Sequence, residues 1–356
     1  MPIISSSPAK ILIMGDHAVV HGFPAILSSL NVRSEATIHD RKDDQIEVLF
    51  QDQTQSLSLN EVLLLFKEAE RKYQIFFSSF DNSCLKQFTN SPHAFIFLCI
   101  AVVLSQAEKI QKRTSGFSIS ITSTIPIGSG LGSSASVASA ICAGLHRYFS
   151  LSEDRESIFN SALRCETFAH GKPSGGDVAA CLHGGLVWFQ KESETSRTIK
   201  PISKNVPQNI QKNLHLIQTG KPAESTAEMI AHVRSQLQTA RDETMRALQE
   251  IETVTRLSLR AFENQDVTQI LECLQKDEHL LEKLGVVSEK TRGFIRAVEK
   301  SGGFAKISGG GGMKEGSGVL MVYHTDKKKL ESMTTTAGFT FVEARCDTRG
   351  TEVVST

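Results

Sequence analysis

The chain has 356 residues, more than one ordinary hydrophobic core usually organises, so its length favours two domains or one large α/β unit. Hydrophobic residues make up 40% and charged residues 22%, which excludes disordered and low-complexity proteins. Lys and Arg total 39, as do Asp and Glu, so no net charge draws the protein to nucleic acid or to an anionic membrane. We expect a folded protein that binds neither.

The cysteines and the apolar segments bear on the compartment. The seven cysteines are an odd number and include no C-x-x-C pair, which argues against a disulfide framework and against a thiolate zinc site. The N-terminus lacks the basic flank and cleavage site of a signal peptide. The apolar stretch 94–104 is too short for the roughly 20 residues of a spanning helix, so it predicts a buried core helix. We expect a soluble, cytoplasmic protein with reduced thiols.

The first elements are predicted to be strands, followed by a helix. Residues 10–14 form a short apolar run closed by Gly15, which indicates a buried strand ending in a glycine turn. Residues 32–39 and 45–50 alternate around the polar segment 40–44 and predict a hairpin. Asn60 is expected to cap the next helix, whose apolar side would carry three side chains. These are Leu63, Leu64 and Phe66.

A strand, a glycine-rich loop and a helix follow one another in the middle of the chain. Residues 116–122 alternate as a half-buried strand, and residues 133–149 show helical spacing. Another helix is expected to start at Ser152. The polar stretch 190–209, which contains Pro201 and Pro207, predicts a domain junction.

The second half is predicted to be mostly helical, with a few strands at its end. The helices are expected over residues 225–262, 267–284, 288–300 and 327–333, and the strands over 305–307, 319–323 and 339–343. We therefore predict an α+β fold in two lobes, with domains at residues 1–205 and 206–356.

The loop P-I-G-S-G-L-G-S-S-A, residues 126–135, is the most informative segment. Glycines at alternate positions let the backbone approach a ligand closely, and the N-terminus of the following helix attracts anions, so the loop suits a triphosphate. The alternative is an ordinary glycine turn capped by serine. Both Gly-Lys pairs are followed by proline, which excludes the P-loop signature, and the motifs of protein kinases and of dinucleotide-binding folds are absent.

Three motifs in order identify a family resemblance. Residues 7–25 read S-P-A-K-I-L-I-M-G-D-H-A-V-V-H-G-F-P-A, and residues 305–312 read A-K-I-S-G-G-G-G. With the loop at 126–135 they resemble the three motifs of the superfamily of galactokinase, homoserine kinase, mevalonate kinase and phosphomevalonate kinase. Residues 166–177 (E-T-F-A-H-G-K-P-S-G-G-D) are similar to a segment of the mevalonate kinases. Stretches at 219–226 and 278–288 also resemble later parts of those enzymes.

The resemblance implies a fold and an activity. It implies an N-terminal lobe with the phosphate loop, a ferredoxin-like C-terminal lobe, and an active site between them. The reaction implied is the ATP- and Mg²⁺-dependent phosphorylation of mevalonate to 5-phosphomevalonate, a step in making isoprenoid precursors. The partners would be mevalonate and ATP, and a homodimer is compatible with this reading.

The resemblance also implies roles for individual residues. Asp177 would take the proton of the acceptor hydroxyl, with Lys10 beside it to neutralise charge. Glu166 and Ser134 would bind Mg²⁺ through oxygen, the ligand that this ion prefers. The backbone of the loop would bind ATP through seven residues. These are Gly128, Ser129, Gly130, Leu131, Gly132, Ser133 and Ser134.

At the acceptor end the resemblance implies contacts from Asp16, His17 and Thr226, or Ser225 if the alignment shifts by one residue. His17 could equally cap a helix or pack in the core.

The chain departs from the family pattern at several positions. Asp16 stands where glutamate is usual, Gly176 replaces an isoleucine, and Ala223 lies where mevalonate kinases often have arginine. The segment 313–318 is longer and more polar than expected. These differences leave three alternatives open. They are a related kinase acting on phosphomevalonate or a sugar, an ATP-dependent decarboxylase, and a non-catalytic ATP sensor.

Overall fold

A computed structural model describes residues 1–79, 81–110, 115–126, 128–194, 196–202 and 205–355. Within these residues the chain has a mixed α/β fold built on two sheets. The strands are β1 (Ile3–Met14), β2 (Ala25–Asp40), β3 (Gln45–Phe50), β4 (Gln53–Ser58), β5 (Phe117–Ser123), β6 (Leu186–Lys191), β7 (Arg197–Pro201), β8 (Leu214–Gln218), β9 (Phe304–Ser308), β10 (Val319–Tyr323), β11 (Thr340–Val342) and β12 (Glu352–Ser355). The α-helices are α1 (Leu59–Ser79), α2 (Pro92–Lys109), α3 (Ser133–Tyr148), α4 (Arg155–His170), α5 (Gly176–His183), α6 (Gln208–Asn213), α7 (Thr226–Thr239), α8 (Arg241–Asn264), α9 (Val267–Lys283), α10 (Glu289–Lys300) and α11 (Lys327–Thr336).

The order of strands in the larger sheet overturns the predicted hairpin. The sheet runs β12-β1-β2-β5-β3-β4, with β6 on β2 and β7 on β6. β5 lies between β2 and β3, antiparallel to the first and parallel to the second. Ile119 of β5 stands opposite Ile38 on one side and Val48 on the other, and all three side chains are buried. The hairpin prediction was wrong because a buried apolar strand from far along the chain pairs with both segments.

Helix α2 is the predicted core helix. It is long and apolar enough by composition to cross a membrane, but most of it is buried inside the protein. Its side chains from Ile96 to Leu104 are at most 4% exposed and belong to the core between the larger sheet and α1 to α5. The expectation for residues 94–104 is therefore confirmed.

Two helix starts differ from their predictions. Asn60 lies inside α1, and Ser58 forms a reciprocal capping pair with Glu61: Ser58 Oγ accepts the Glu61 N–H and Glu61 Oε2 accepts the Ser58 N–H. Leu64 is 61% exposed, so it does not belong to the buried side of α1. Helix α4 starts after Asp154, whose carboxylate accepts the Ser157 N–H at 2.8 Å, and Ser152 lies before that cap.

The second sheet has the order β11-β8-β10-β9 and is antiparallel throughout. The helical region predicted over 225–262 consists of two helices, because Ala240 between α7 and α8 has φ −138° and ψ 52°, outside the helical region. The two sheets meet where the end of β1 contacts β9. There, Leu12 N–H donates to Ser308 Oγ at 3.1 Å, and Ser308 Oγ donates to the Leu12 carbonyl at 2.9 Å.

The last strand returns to the first sheet. β12 pairs antiparallel with the start of β1, with Ile3 opposite Ser355 and Ser6 opposite Glu352. The guanidinium of Arg33 on β2 donates to the Gly350 carbonyl at 2.7 Å and holds the approach to β12. The segment 352–355 is thus part of the N-terminal sheet, while the boundary between residues 205 and 206 stays a prediction.

Candidate active site

The glycine loop has the backbone that a phosphate site requires. Gly128, Gly130 and Gly132 have φ values of 72°, 78° and 73°, which side chains other than glycine rarely adopt. A Cβ on Gly128 or Gly130 would meet no described atom within 4 Å, so this side of the loop borders open space. Helix α3 follows, with Gly132 as its N-cap and no side-chain hydrogen bond at the cap. Serine therefore does not cap this helix, and the N–H groups at its start have no side-chain capping partner. Whether the loop binds phosphate or is an ordinary glycine turn stays a prediction.

Leu131 and Ser129 hold the loop against the rest of the protein. Leu131 is 1% exposed and packs in the core, and its carbonyl accepts the Lys10 N–H at 3.0 Å. The Ser129 hydroxyl donates to the Pro126 carbonyl at 2.7 Å. Ligand contacts by these two residues would therefore come from their backbone. Ile127 of this loop lies outside the described residues.

Lys10 and Asp177 form a pair beside the loop. The Lys10 side chain crosses Gly132 so closely that a Cβ there would lie 2.6 Å from Lys10 Cγ, which requires glycine. Lys10 Nζ lies 3.2 Å from Asp177 Oδ1. Asp177 lies in the first turn of α5 after Gly175, whose φ is 96°, and its side chain is 44% exposed against 8% for Lys10. A buried cation thus contacts a carboxylate that solvent or a ligand can reach.

Glu166 of α4 is a buried carboxylate facing the same place. It is 6% exposed, and its Oε1 has no hydrogen-bond partner in the described part of the chain. Burial and, next, the charge of Asp177 raise the pKa of Glu166 to about 8, although the Ser134 hydroxyl and the Lys10 charge act in the opposite direction. Such a group is destabilising when ionised alone and is relieved by a cation.

The donors Glu166 and Ser134 fit a hard cation. Mg²⁺ prefers oxygen ligands and usually takes one or two carboxylates together with phosphate oxygens and water. Among the described residues no group of three or more His, Cys, Asp or Glu side chains could hold a metal. A cation at Glu166 would therefore depend on ligands from a bound phosphate and from water.

We predict that Glu166→Gln changes how stability depends on pH. With a folded pKa of about 8 against 4.5 for the ordinary group, the favourable contribution of Glu166 is present below pH 4.5 and is lost as pH rises through 8. The nucleotide-free variant should therefore gain stability over the wild type between pH 6 and 9, by on the order of a few kcal/mol. Melting curves at several pH values measure this difference.

A matched control for that experiment is Glu250→Gln on the exposed side of α8. This change should shift stability by less than about 0.5 kcal/mol at every pH. Parallel pH profiles for wild type and Glu166→Gln would contradict the prediction.

Gly176 stands before Asp177 where the family usually has isoleucine, and apolar side chains of other residues pack around it. A Cβ on Gly176 would lie 3.4 Å from Phe189 Cδ1 and 3.6 Å from Leu27 Cδ2, both ordinary contact distances. Phe189 and Leu27 are 0% and 1% exposed, so they keep the apolar packing behind Asp177.

Asp16 does not face an open site. It is fully buried, its Oδ1 accepts the Gly309 N–H at 2.5 Å, and its Oδ2 is paired with Lys306 Nζ. The expected contact of Asp16 with the acceptor is therefore not supported by its position. Its carboxylate is occupied in holding the third glycine motif.

His17 and Thr226 both lie beside Gly310. His17 has φ 58°, and its Nε2 donates to the Gly310 carbonyl at 3.0 Å, which leaves Nδ1 as an acceptor without a partner in the described chain. Burial lowers the pKa of His17, so the ring is neutral near pH 7. A Cβ on Gly310 would lie 3.2 Å from Thr226 Oγ1. Ser225 is the N-cap of α7 and is bonded to Glu228, so Thr226 is the freer of the two alternatives.

Sequence reasoning assigned no role to two residues of this region, Lys306 and Asp277. Both are fully buried, and Lys306 Nζ lies 3.4 Å from Asp277 Oδ2. The sequence signal for such a pair is a lysine between the apolar residues Ala305 and Ile307 of a predicted strand. A lysine there is expected to be buried, and a buried lysine requires a charged partner.

Known proteins resemble this chain in sequence and in fold. Residues 96–185 match the family described as GHMP kinases N terminal domain. A mevalonate kinase of Thermococcus sibiricus is 28% identical over 319 residues, which cover 88% of this chain and 87% of that protein. The solved mevalonate kinase of Methanococcus jannaschii superposes with a TM-score of 0.75 at 21% identity, covering 96% of this chain and 98% of its own.

An L. major mevalonate kinase in complex with R-mevalonate has a TM-score of 0.66 at 18% identity, with 97% and 96% of the two chains covered. At such identities the structures show the fold alone. By its family match the chain resembles the kinases of the GHMP class. It also resembles mevalonate kinases along most of its length, so the predicted resemblance is confirmed.

Proposed function

We propose that the protein transfers the γ-phosphoryl group of ATP to the primary 5-hydroxyl of mevalonate. The observation that carries the proposal is the contact of buried Lys10 with Asp177, 3.2 Å apart, beside a glycine loop that opens a helix. The curated mevalonate kinases that match the chain over 88% of its length support this acceptor.

The glycine loop, Asp177 and Lys10 would each have a separate role in phosphoryl transfer. Backbone N–H groups of the loop and the α3 N-terminus would hold the phosphates of ATP. Asp177 Oδ would take the proton of the acceptor hydroxyl, whose oxygen then bonds to the γ-phosphorus as the bond to the ADP oxygen breaks. Lys10 would stabilise the negative charge that develops between Asp177 and the acceptor oxygen.

We propose Mg²⁺ as the cofactor, held by Glu166 and Ser134. When bound, it would neutralise phosphate charge and orient the γ-phosphoryl group. The buried, unpartnered Oε1 of Glu166 supports this assignment.

The acceptor would lie between the glycine loop and the third glycine motif, in a cleft between the N-terminal lobe and a ferredoxin-like C-terminal lobe. The antiparallel sheet β11-β8-β10-β9 with its helices supports that description of the second lobe. His17 and Thr226 are the proposed acceptor contacts at Gly310. The neutral ring of His17 would accept a hydrogen bond from an acceptor hydroxyl through Nδ1.

We also propose a cytoplasmic location, which the free state of the cysteines Cys84, Cys99, Cys142, Cys165, Cys181, Cys273 and Cys346 supports. A homodimer stays a prediction that sedimentation can test.

The function is tested with ATP and a panel of acceptors. Mevalonate, phosphomevalonate, diphosphomevalonate and galactose are incubated separately with the enzyme, and product masses are recorded. We expect mevalonate to gain one phosphoryl group and the others to react at least about a hundredfold more slowly, because the acceptor contacts discriminate by a few kcal/mol.

Other outcomes of this panel select the alternatives. Reaction of the sugar without reaction of mevalonate would overturn the proposed acceptor, and loss of carbon dioxide from diphosphomevalonate would identify a decarboxylase. Calorimetric binding of ATP with no turnover of any acceptor would identify a sensor.

A further inference from the structure

A charged cluster lies buried between the two sheets. Lys306 of β9 is 0% exposed, its Nζ is paired with Asp16 Oδ2, and it lies 3.4 Å from Asp277 Oδ2 on α9. Asp16 and Asp277 are also fully buried. Glu278, next to Asp277, bonds to the backbone of the same strand: its Oε2 accepts the Ile307 N–H at 2.8 Å.

Lys306 is ionised in this setting. Burial lowers the pKa of Lys306, but the charges of Asp16 and Asp277 outweigh it and leave the pKa raised. A buried ion pair of this kind is weak support for stability as such, because desolvation of the charges offsets much of their attraction. Breaking the pair by removing one partner leaves an uncompensated buried charge, which is costly.

The cluster connects the first and third motifs at the acceptor end. Asp16 joins Lys306 through one oxygen and the Gly309 N–H through the other. The next residue, His17, donates to the Gly310 carbonyl at 3.0 Å. Thr226 of α7 lies beside Gly310, where an added Cβ would come within 3.2 Å of Thr226 Oγ1. The direction of the Asp16 carboxylate therefore sets where the turn 309–310 and the His17 ring lie.

His17 is held in a conformation that it would not adopt alone. Its φ of 58° lies in the left-handed region, which costs a residue other than glycine free energy. Such a backbone persists only when its surroundings hold it, and here the bonds on either side of the peptide joining Asp16 to His17 do so.

Lys306 is one of two links between the sheets described at this point. Ser308 already makes two hydrogen bonds to the backbone of Leu12. What Lys306 adds is the orientation of Asp16.

We propose that Lys306 is a positioning residue for the acceptor: through Asp16 it holds His17 and the turn 309–310 in the geometry that binds the substrate hydroxyl. The proposal rests on the proposed function, which supplies the acceptor. It separates Lys306 from Lys10, which contacts Asp177 on the phosphate side.

The test is a double-mutant cycle of Lys306→Met and Asp16→Asn, with steady-state kinetics for mevalonate and calorimetry for ATP. Each single variant should raise KM for mevalonate by about tenfold or more, while the Kd of ATP and kcat at saturating acceptor change by less than about threefold. Because the two residues act as one unit, the double variant should raise KM about as much as one single variant does, well below the product of the two.

Asp347→Asn is the matched control, since Asp347 is a shielded carboxylate 3.7 Å from a cation, Arg33 Nη1, outside the charged cluster. It should leave KM for mevalonate within about twofold of the wild type.

Several outcomes would overturn the proposal. They are a wild-type KM in folded Lys306→Met, single effects that multiply in the double variant, and an equal rise of KM in Asp347→Asn. Where Lys306→Met does not fold, the double variant Lys306→Met with Asp16→Asn is measured instead, because it removes one charge of each sign. A raised KM for mevalonate in that variant supports the proposal, and a wild-type KM overturns it. Failure of the proposed function is distinct, because the wild-type enzyme would then not phosphorylate mevalonate.

Discussion

Replacement of Asp177 by asparagine is expected to lower kcat by about 10²–10⁴, the range that general-base catalysis usually contributes. Asparagine keeps the size of the side chain but cannot take the acceptor proton. ATP affinity should change little, because the glycine loop and the start of α3 do not depend on the Asp177 carboxylate. Rapid-quench turnover at saturating mevalonate gives kcat, and calorimetry gives the Kd of ATP.

Asp326→Asn is the control for this variant. Asp326 caps α11, and its carboxylate accepts the Lys329 N–H at 3.0 Å, so asparagine preserves a cap far along the chain from the site. Turnover should stay within about twofold of the wild type. If Asp177→Asn also keeps near wild-type turnover, Asp177 is structural, and Lys10 or the phosphate itself would have to deprotonate the acceptor.

Lys10→Met is expected to lower kcat by about 10²–10³, as loss of one preorganised charge does in an active site. The lysine is 6% exposed and its Nζ lies 3.2 Å from Asp177 Oδ1, so its charge acts on that carboxylate at close range. Methionine keeps the apolar stem that crosses Gly132. The variant also removes the positive charge that lowers the pKa of Glu166, so that pKa should rise further. Turnover measured from pH 6 to 9 reports both effects.

Lys191→Met serves as the matched control. Lys191 is similarly shielded, with a side chain 16% exposed, and its Nζ lies 2.9 Å from Glu194 Oε2 at an exposed turn. This pair should contribute at most about 1 kcal/mol to stability and nothing to turnover. A Lys10→Met enzyme with wild-type kcat at every pH would show that Lys10 only packs against the loop.

The local backbone of the site could be predicted from the sequence. Alternate glycines before a helical run predict a loop whose backbone can approach a ligand closely, and Gly128, Gly130 and Gly132 have the positive φ values that glycine allows. A short apolar run starting at Lys10 predicts the end of β1. These features depend on neighbours in the chain, where spacing and residue type carry the information.

Motif order also indicated that Lys10, Ser134, Glu166 and Asp177 would come together. The structure brings Lys10 to Asp177 and Ser134 to Glu166, which agrees with the grouping that the family resemblance implies. Their catalytic roles stay predictions until turnover is measured.

Only the tertiary structure decided which strands pair and which charges are buried. β5 inserts between β2 and β3, and β12 returns to β1, because exposed strand edges and apolar faces are satisfied by segments far away in the chain. The sequence predicted that Asp16 contacts the acceptor. In the structure Lys306, 290 positions later, bonds to one carboxylate oxygen of Asp16, and the Gly309 N–H bonds to the other. By itself the sequence determined the position of the glycine loop and the family resemblance; the partner of each buried charge depends on contacts between distant segments, which no local spacing records.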